Sequence, residues 1–157
     1  MSNLIAAINM TLDGFCDHTT LSAEDEIHQH YKDLLNNAGA ILYGRITYQL
    51  MEYWLPMVKN PTGNKANDEF AVAIDRIPKI VFSRTLRNLD WETARIAKGG
   101  LREEVEALRQ QPGKDILIGS RSLVVDALNL GVIDEFQLCV HPVIAPADVP
   151  QKTPRRG

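Results

Sequence analysis

The sequence predicts an α/β domain built on a central, largely parallel sheet flanked by helices. Three observations carry that prediction. Six short apolar runs with strand character alternate along the chain with segments of helical spacing. Most of those runs are continuously apolar, as strands covered on both faces are. A chain of 157 residues, 45% hydrophobic and 24% charged, has the size and balance of one domain with a real core.

The elements follow in order. The run LIAAINM (4–10) has no basic residue before it and Asp13 soon after, which suits a first strand rather than a signal peptide. TLDGF (11–15) then turns at Asp13-Gly14. Ile27, Tyr31, Leu34 and Leu35 fall at i, i+4, i+7 and i+8 and predict a helix, with Ser22 and Asp25 as its capping pair. GAILYG (39–44) is the second strand, and Thr47, Leu50, Met51 and Trp54 line the helix after it. NPTGNKAND (60–68), rich in turn formers, reads as the longest loop. Phe70 and Ile74 mark a helix that Pro78 stops. KIVFS (79–83) and the weaker TARIA (93–97) are strands, and Leu101, Val105 and Leu108 line the next helix. DILIGS (115–120) is a strand followed by a helix carrying Leu123, Val124, Ala127 and Leu128, which closes at Gly131 as a C′ glycine. EFQLCVHPVIA (135–145) is the last strand. The domain is therefore expected over residues 1–145, and PADVPQKTPRRG (146–157), with three prolines and almost no apolar side chains, is expected to be a disordered tail.

Composition narrows the function classes. A net charge of −3, from 17 basic and 20 acidic residues, does not recruit nucleic acid or an anionic membrane, and no apolar run reaches transmembrane length. Cys16 and Cys139 lack metal-type spacing and read as reduced thiols, so a cytoplasmic protein is expected. His28 and His30, two apart on a helix, face different ways and read as surface residues; no metal site is expected. His141, beside Pro142, reads as a structural residue at a strand edge.

Neither G-x-G-x-x-G nor G-x-x-x-x-G-K-[ST] occurs, which argues against an ordinary Rossmann or P-loop protein. What remains are three strand ends rich in small, hydroxylic and arginine residues: Gly44, Arg45 and Thr47; Ser83, Arg84 and Thr85; Gly119, Ser120, Arg121 and Ser122. Ligands of open α/β sheets sit beyond the carboxyl ends of strands, where three such clusters on parallel strands would converge. The glycines admit a close ligand, helix starts and hydroxyls donate to phosphate, and guanidinium forks match it. Any one cluster alone reads as strand-ending glycines, capping hydroxyls and solvated arginines; three at equivalent positions point to a phosphate-bearing ligand.

LIAAINMTLDGF, GRITY, KIVFSRTL and GKDILIGSRSLVVDALNLGVIDEFQLCVHPVI, in this order, resemble the dihydrofolate reductase-like superfamily over residues 4–144. They look closest to the branch holding the reductase domain of bifunctional riboflavin-biosynthesis enzymes and its small stand-alone relatives. The resemblance implies an NADPH-dependent reductase with the cofactor across the carboxyl edge of the sheet, passing hydride to a small heterocycle. In this branch that heterocycle is the ribosylaminopyrimidine intermediate of riboflavin synthesis, 5-amino-6-(5-phosphoribosylamino)uracil. By position, Gly44, Arg45 and Thr47 match the phosphate-binding helix start, and Ser83, Arg84 and Thr85 the segment at the adenosine 2′-phosphate. Gly119, Ser120, Arg121, Ser122 and Leu123 match the pyrophosphate turn, Ala7 a backbone position near the nicotinamide, and Asp13-Gly14 the loop over nicotinamide and substrate. Asp13 is the candidate proton-handling residue. Folate reduction is the less favoured reading, because the first long helix presents no carboxylate among its apolar positions.

The sequence departs from the pattern twice. GSRS carries fewer glycines than the usual pyrophosphate turn. After VHPVI, relatives continue with a glycine-rich turn and further strands, whereas this chain runs into APADVPQKTPRRG, so a missing final hairpin is expected. A sheet edge left bare in that way favours pairing with a second copy as a homodimer. The alternative function is a truncated binding or scaffold protein that keeps the fold without turnover.

Overall fold

The computed structural model describes residues 2–16 and 25–144. Ser22 and the expected tail lie outside them. Its strands are β1 (Leu4–Thr11), β2 (Ala38–Gly44), β3 (Lys79–Phe82), β4 (Ala94–Ile96), β5 (Asp115–Ile118) and β6 (Glu135–His141). They form one sheet in the order β4-β3-β2-β5-β1-β6, and every pairing is parallel. The helices are α1 (Asp25–Asn36), α2 (Arg45–Met51), α3 (Leu55–Lys59), α4 (Lys65–Arg76), α5 (Leu101–Gln110) and α6 (Arg121–Leu130). None of them is long and apolar enough to cross a membrane.

From β1 to β4 the chain steps toward one edge of the sheet, and through β5 and β6 it returns across the other. That reversal puts α1, α2 and α4 on one face and α5 and α6 on the opposite one, because right-handed crossovers running in opposite directions cover opposite faces. Two cores result. Ile5, Ile41, Tyr43, Val81 and Leu117 pack against Leu35, Tyr48, Phe70 and Ile74 on the first face. Leu4, Ala6, Leu42, Ile80, Ile116 and Ile118 pack against Val105, Leu123, Val124 and Ala127 on the second. Burial of both faces explains the continuous apolar runs of β2, β3 and β5. Gly131, at φ 67°, ends α6 in the left-handed conformation, with Val132 N–H reaching back to the Ala127 carbonyl, as the glycine predicts.

Four expectations change. β6 is not covered on both faces: Phe136, Leu138 and Val140 are 42%, 49% and 47% exposed. They share their face with Ala6, Ile8 and Met10 by register, so the layer of α5 and α6 stops short of this edge. The helix after β2 is three pieces, α2, a 3-10 turn (Glu52–Trp54) and α3, because Pro56 has no N–H to continue the ladder and instead starts a new helix. The 60–68 loop is shorter than expected, because the Asn64 side chain accepts from Asn67 N–H and caps α4 at Lys65. His28 is buried, not a surface residue. It lies three residues before Tyr31 and seven before Leu35, on the face that α1 turns to the core.

Glu52, in the turn after α2, faces Asp90 at the far end of the segment that follows β3. Burial, and next the Asp90 carboxyl, push the Glu52 carboxyl up to about 7. The folded protein thus holds a proton that the unfolded chain releases, so the associated stability is complete below the ordinary value of 4.5 and is lost as pH rises through about 7. Chemical denaturation at pH 5 and pH 8 is expected to show this loss. Glu52→Gln is expected to remove it, raising stability at pH 8 by about 1 kcal/mol after solvent screening at a partly exposed site, or about 2–4 °C in Tm. A pH slope unchanged in Glu52→Gln would assign it to other groups.

Candidate active site

At the carboxyl edge, β2 and β5 bring two of the three sequence clusters together. Gly44 N–H donates to the Ser120 hydroxyl at 2.7 Å, and Ser120 is only 2% exposed. Engaged there, that hydroxyl does not cap α6, which begins at Arg121 with no side-chain acceptor at its first turn. The N–H groups of that turn and the positive end of the helix dipole are thus left for another acceptor. Arg121 and Ser122 are exposed beside them, and Leu123 turns its side chain into the second core, leaving its backbone to the edge. Gly44, at φ −78°, has a backbone open to any residue, but a Cβ there would stand 3.6 Å from Ser120 Oγ and 3.7 Å from Ser122 Oγ, filling the cradle between the hydroxyls. This donor set fits the phosphates of a dinucleotide.

The third cluster lies one strand away. The pairing of Gly44 with Phe82 sets Arg45 and Ser83 side by side just past the edge. Arg45 is exposed, with Nη1 3.4 Å from Gln49 Oε1. Ser83 Oγ accepts from the Leu86 and Thr85 amides at 3.0 and 3.3 Å, folding a turn that leaves Arg84 and Thr85 in solvent. Asp13 is also exposed. Its carboxylate accepts from the Thr11 hydroxyl at 2.7 Å, while that hydroxyl accepts from Phe15 N–H. Asp13 therefore organises the turn after β1 and is not part of the cavity wall described next.

A cavity of about 350 Å³ runs from this edge beneath α1 and α2, over the first face of the sheet. Ala7, Thr47, Gly119 and Arg121, all expected at the site, line it. So do residues that sequence reasoning missed. Asn9, Tyr31 and His141 form a polar knot on its floor. The Tyr31 hydroxyl donates to Asn9 Oδ1 at 3.1 Å, and His141 Nε2 lies 3.3 Å from the same oxygen, so it is Nε2 that carries the imidazole proton. Burial pushes the Tyr31 phenol above the usual tyrosine range, keeping it neutral and a donor. Opposite stands a cluster of rings: Trp54 and Phe70 meet edge to face at 4.7 Å, and His28 stacks on Phe70 at 5.3 Å with its Nδ1 buried and unpartnered. Cys16 is at the mouth, where burial raises its thiol and the Arg121 guanidinium partly offsets the rise. Among the described residues no group of His, Cys, Asp or Glu is placed to hold a metal ion.

Signals for the missed residues were present. Asn9 is the one amide in an apolar strand, and Gln137, Cys139 and His141 alternate onto the face that Ala7, Asn9 and Thr11 present by register.

Comparison with known proteins agrees with this architecture. The family described as "RibD C-terminal domain" matches residues 2–150. The uncharacterized protein YyaP of Bacillus subtilis (strain 168) is 35% identical over 145 residues, spanning 90% of this chain and 75% of that one. Among solved structures, Acinetobacter baumannii RibD superposes with a TM-score of 0.62 at 15% identity, over 93% of this chain and 47% of that one. Schistosoma mansoni dihydrofolate reductase does so at 0.62 and 13% identity, over 94% and 78%. Both share the fold.

Proposed function

We propose a function from one premise: the chain belongs to the RibD C-terminal domain family. The reading is an NADPH-dependent reductase acting on a small unsaturated heterocycle. The observation that carries it is the uncapped start of α6, with Gly44 and Ser120 holding an open cradle beside it, at the mouth of an apolar cavity. NADPH would supply the hydride. The α6 amides, Arg121 and Ser122 would hold pyrophosphate; Arg45 and Arg84, on neighbouring strand ends, would meet the 2′-phosphate. The cavity excludes bulk water, and Asn9, Tyr31 and His141 present fixed hydrogen-bonding groups that orient a ring. The phosphoribosylaminouracil implied by the sequence would bring a phosphate to a wall of aromatic and aliphatic side chains, so the substrate is kept at the coarser class.

Calorimetric titration of the protein with NADPH, followed by absorbance assays of NADPH consumption with pyrimidine and pteridine substrates, tests the reading. Saturable binding with turnover is expected; no binding to folded protein would remove it. Asp13 is retained as a candidate for proton handling in the loop. Asp13→Asn keeps an acceptor for the Thr11 hydroxyl, so Tm is expected to stay within about 1 °C while kcat falls. An unchanged kcat would leave Asp13 with the turn alone.

A further inference from the structure

We infer that the cavity is built for a flat, uncharged ring compound that carries no phosphate. The inference rests on the reductase reading only for what happens to the ring afterwards; binding itself follows from the cavity wall.

The ring cluster of Trp54, Phe70 and His28 forms one side of the cavity, with centroids 4.7 to 5.3 Å apart, and Leu34 and Met51 extend the same surface. Such a wall favours a planar partner, which gains area burial together with edge or face contacts to the rings. The wall returns nothing to a phosphate. Arg121 is the one Lys or Arg among the described lining residues, and it stands at the mouth beside the α6 start, where the dinucleotide phosphates are read. A phosphate taken deeper would lose its water and meet only carbon, the circumstance in which burying a charge costs most. The same lining holds no Asp or Glu, so a protonated amidine-type ring, which needs a carboxylate partner, is equally disfavoured. The polar groups within, Asn9, Tyr31 and His141, suit a neutral ring carbonyl or ring nitrogen. A volume of about 350 Å³ is near the small end for ligand sites and suits one or two fused rings without a sugar phosphate.

The test is binding to the protein without cofactor, read by calorimetry and by tryptophan fluorescence. The probes are quinazolin-4-one, a neutral flat bicycle, and 5-amino-6-(5-phosphoribosylamino)uracil. Quinazolin-4-one is expected to bind saturably and at least tenfold more tightly, and Trp54→Leu to weaken it at least tenfold. If that variant fails to fold, the comparison on the unaltered protein decides. Equal or tighter binding of the phosphoribosyl compound, or binding of neither, would overturn the inference. NADPH titrated separately keeps the outcomes apart: NADPH bound but no quinazolin-4-one sinks this inference alone, and the reverse sinks the reductase reading while this one stands.

Discussion

Arg84→Ala is expected to lower NADPH affinity about ten- to a hundredfold and to leave NADH binding nearly unchanged. The register of β2 and β3 puts Arg45 and Ser83 at adjacent strand ends, and the Ser83-anchored turn holds Arg84 in solvent one residue further. An exposed guanidinium with no acidic partner close by carries little folding energy, so its removal should not disturb Tm. Its value would lie in a charge-assisted contact with the 2′-phosphate, about 1.5–3 kcal/mol, which is the stated range of affinity. NADH has no 2′-phosphate to lose. Arg45→Ala should weaken NADPH as well. Calorimetry with both nucleotides at moderate salt reads the result, and high salt should erase part of the NADPH preference of the unaltered protein. Equal affinity of the unaltered protein for the two nucleotides would dismiss Arg45 and Arg84 as a phosphate site.

Much of the fold was legible because local signals agreed with one another. Each strand is an apolar run bracketed by turn residues, and Gly131 and Pro78 mark helix ends on backbone grounds alone. The misreadings arose where a local rule met a tertiary one. Pro56 looked incidental to an amphipathic stripe, yet it divides the helix; the apolar side chains of β6 looked buried, yet no helix reaches that edge. The phosphate edge was legible because its groups sit at strand ends, where topology gathers them. The cavity was not. Tyr31 is 22 residues from Asn9, and His141 is 132 residues from it, so the three meet only when β1 takes its place beside β6 and beneath α1. Alternation and helical spacing assign each a face, but not a partner.

Asn9→Leu is expected to reduce stability by about 2–4 kcal/mol, a fall in Tm of about 5–12 °C for a chain of this size. The substitution keeps the side-chain volume in β1 and removes the single oxygen shared by the Tyr31 hydroxyl and His141 Nε2. His141 is 7% exposed, so its donor has little water to turn to, and an unmet buried donor costs about 1–3 kcal/mol. If the shared oxygen is the cause, deleting one donor should return part of the loss. Tyr31→Phe in the Asn9→Leu background should therefore cost less than Tyr31→Phe alone, a coupling of about 1 kcal/mol in the double-mutant cycle. Denaturant unfolding of the four proteins measures it. The same substitution should weaken quinazolin-4-one, because the floor of the cavity would lose the acceptor that fixes Tyr31 and His141 in place. An Asn9→Leu protein as stable as the parent, or effects that simply add, would mean that Tyr31 and His141 find their partners elsewhere and that the floor is not a preorganised unit.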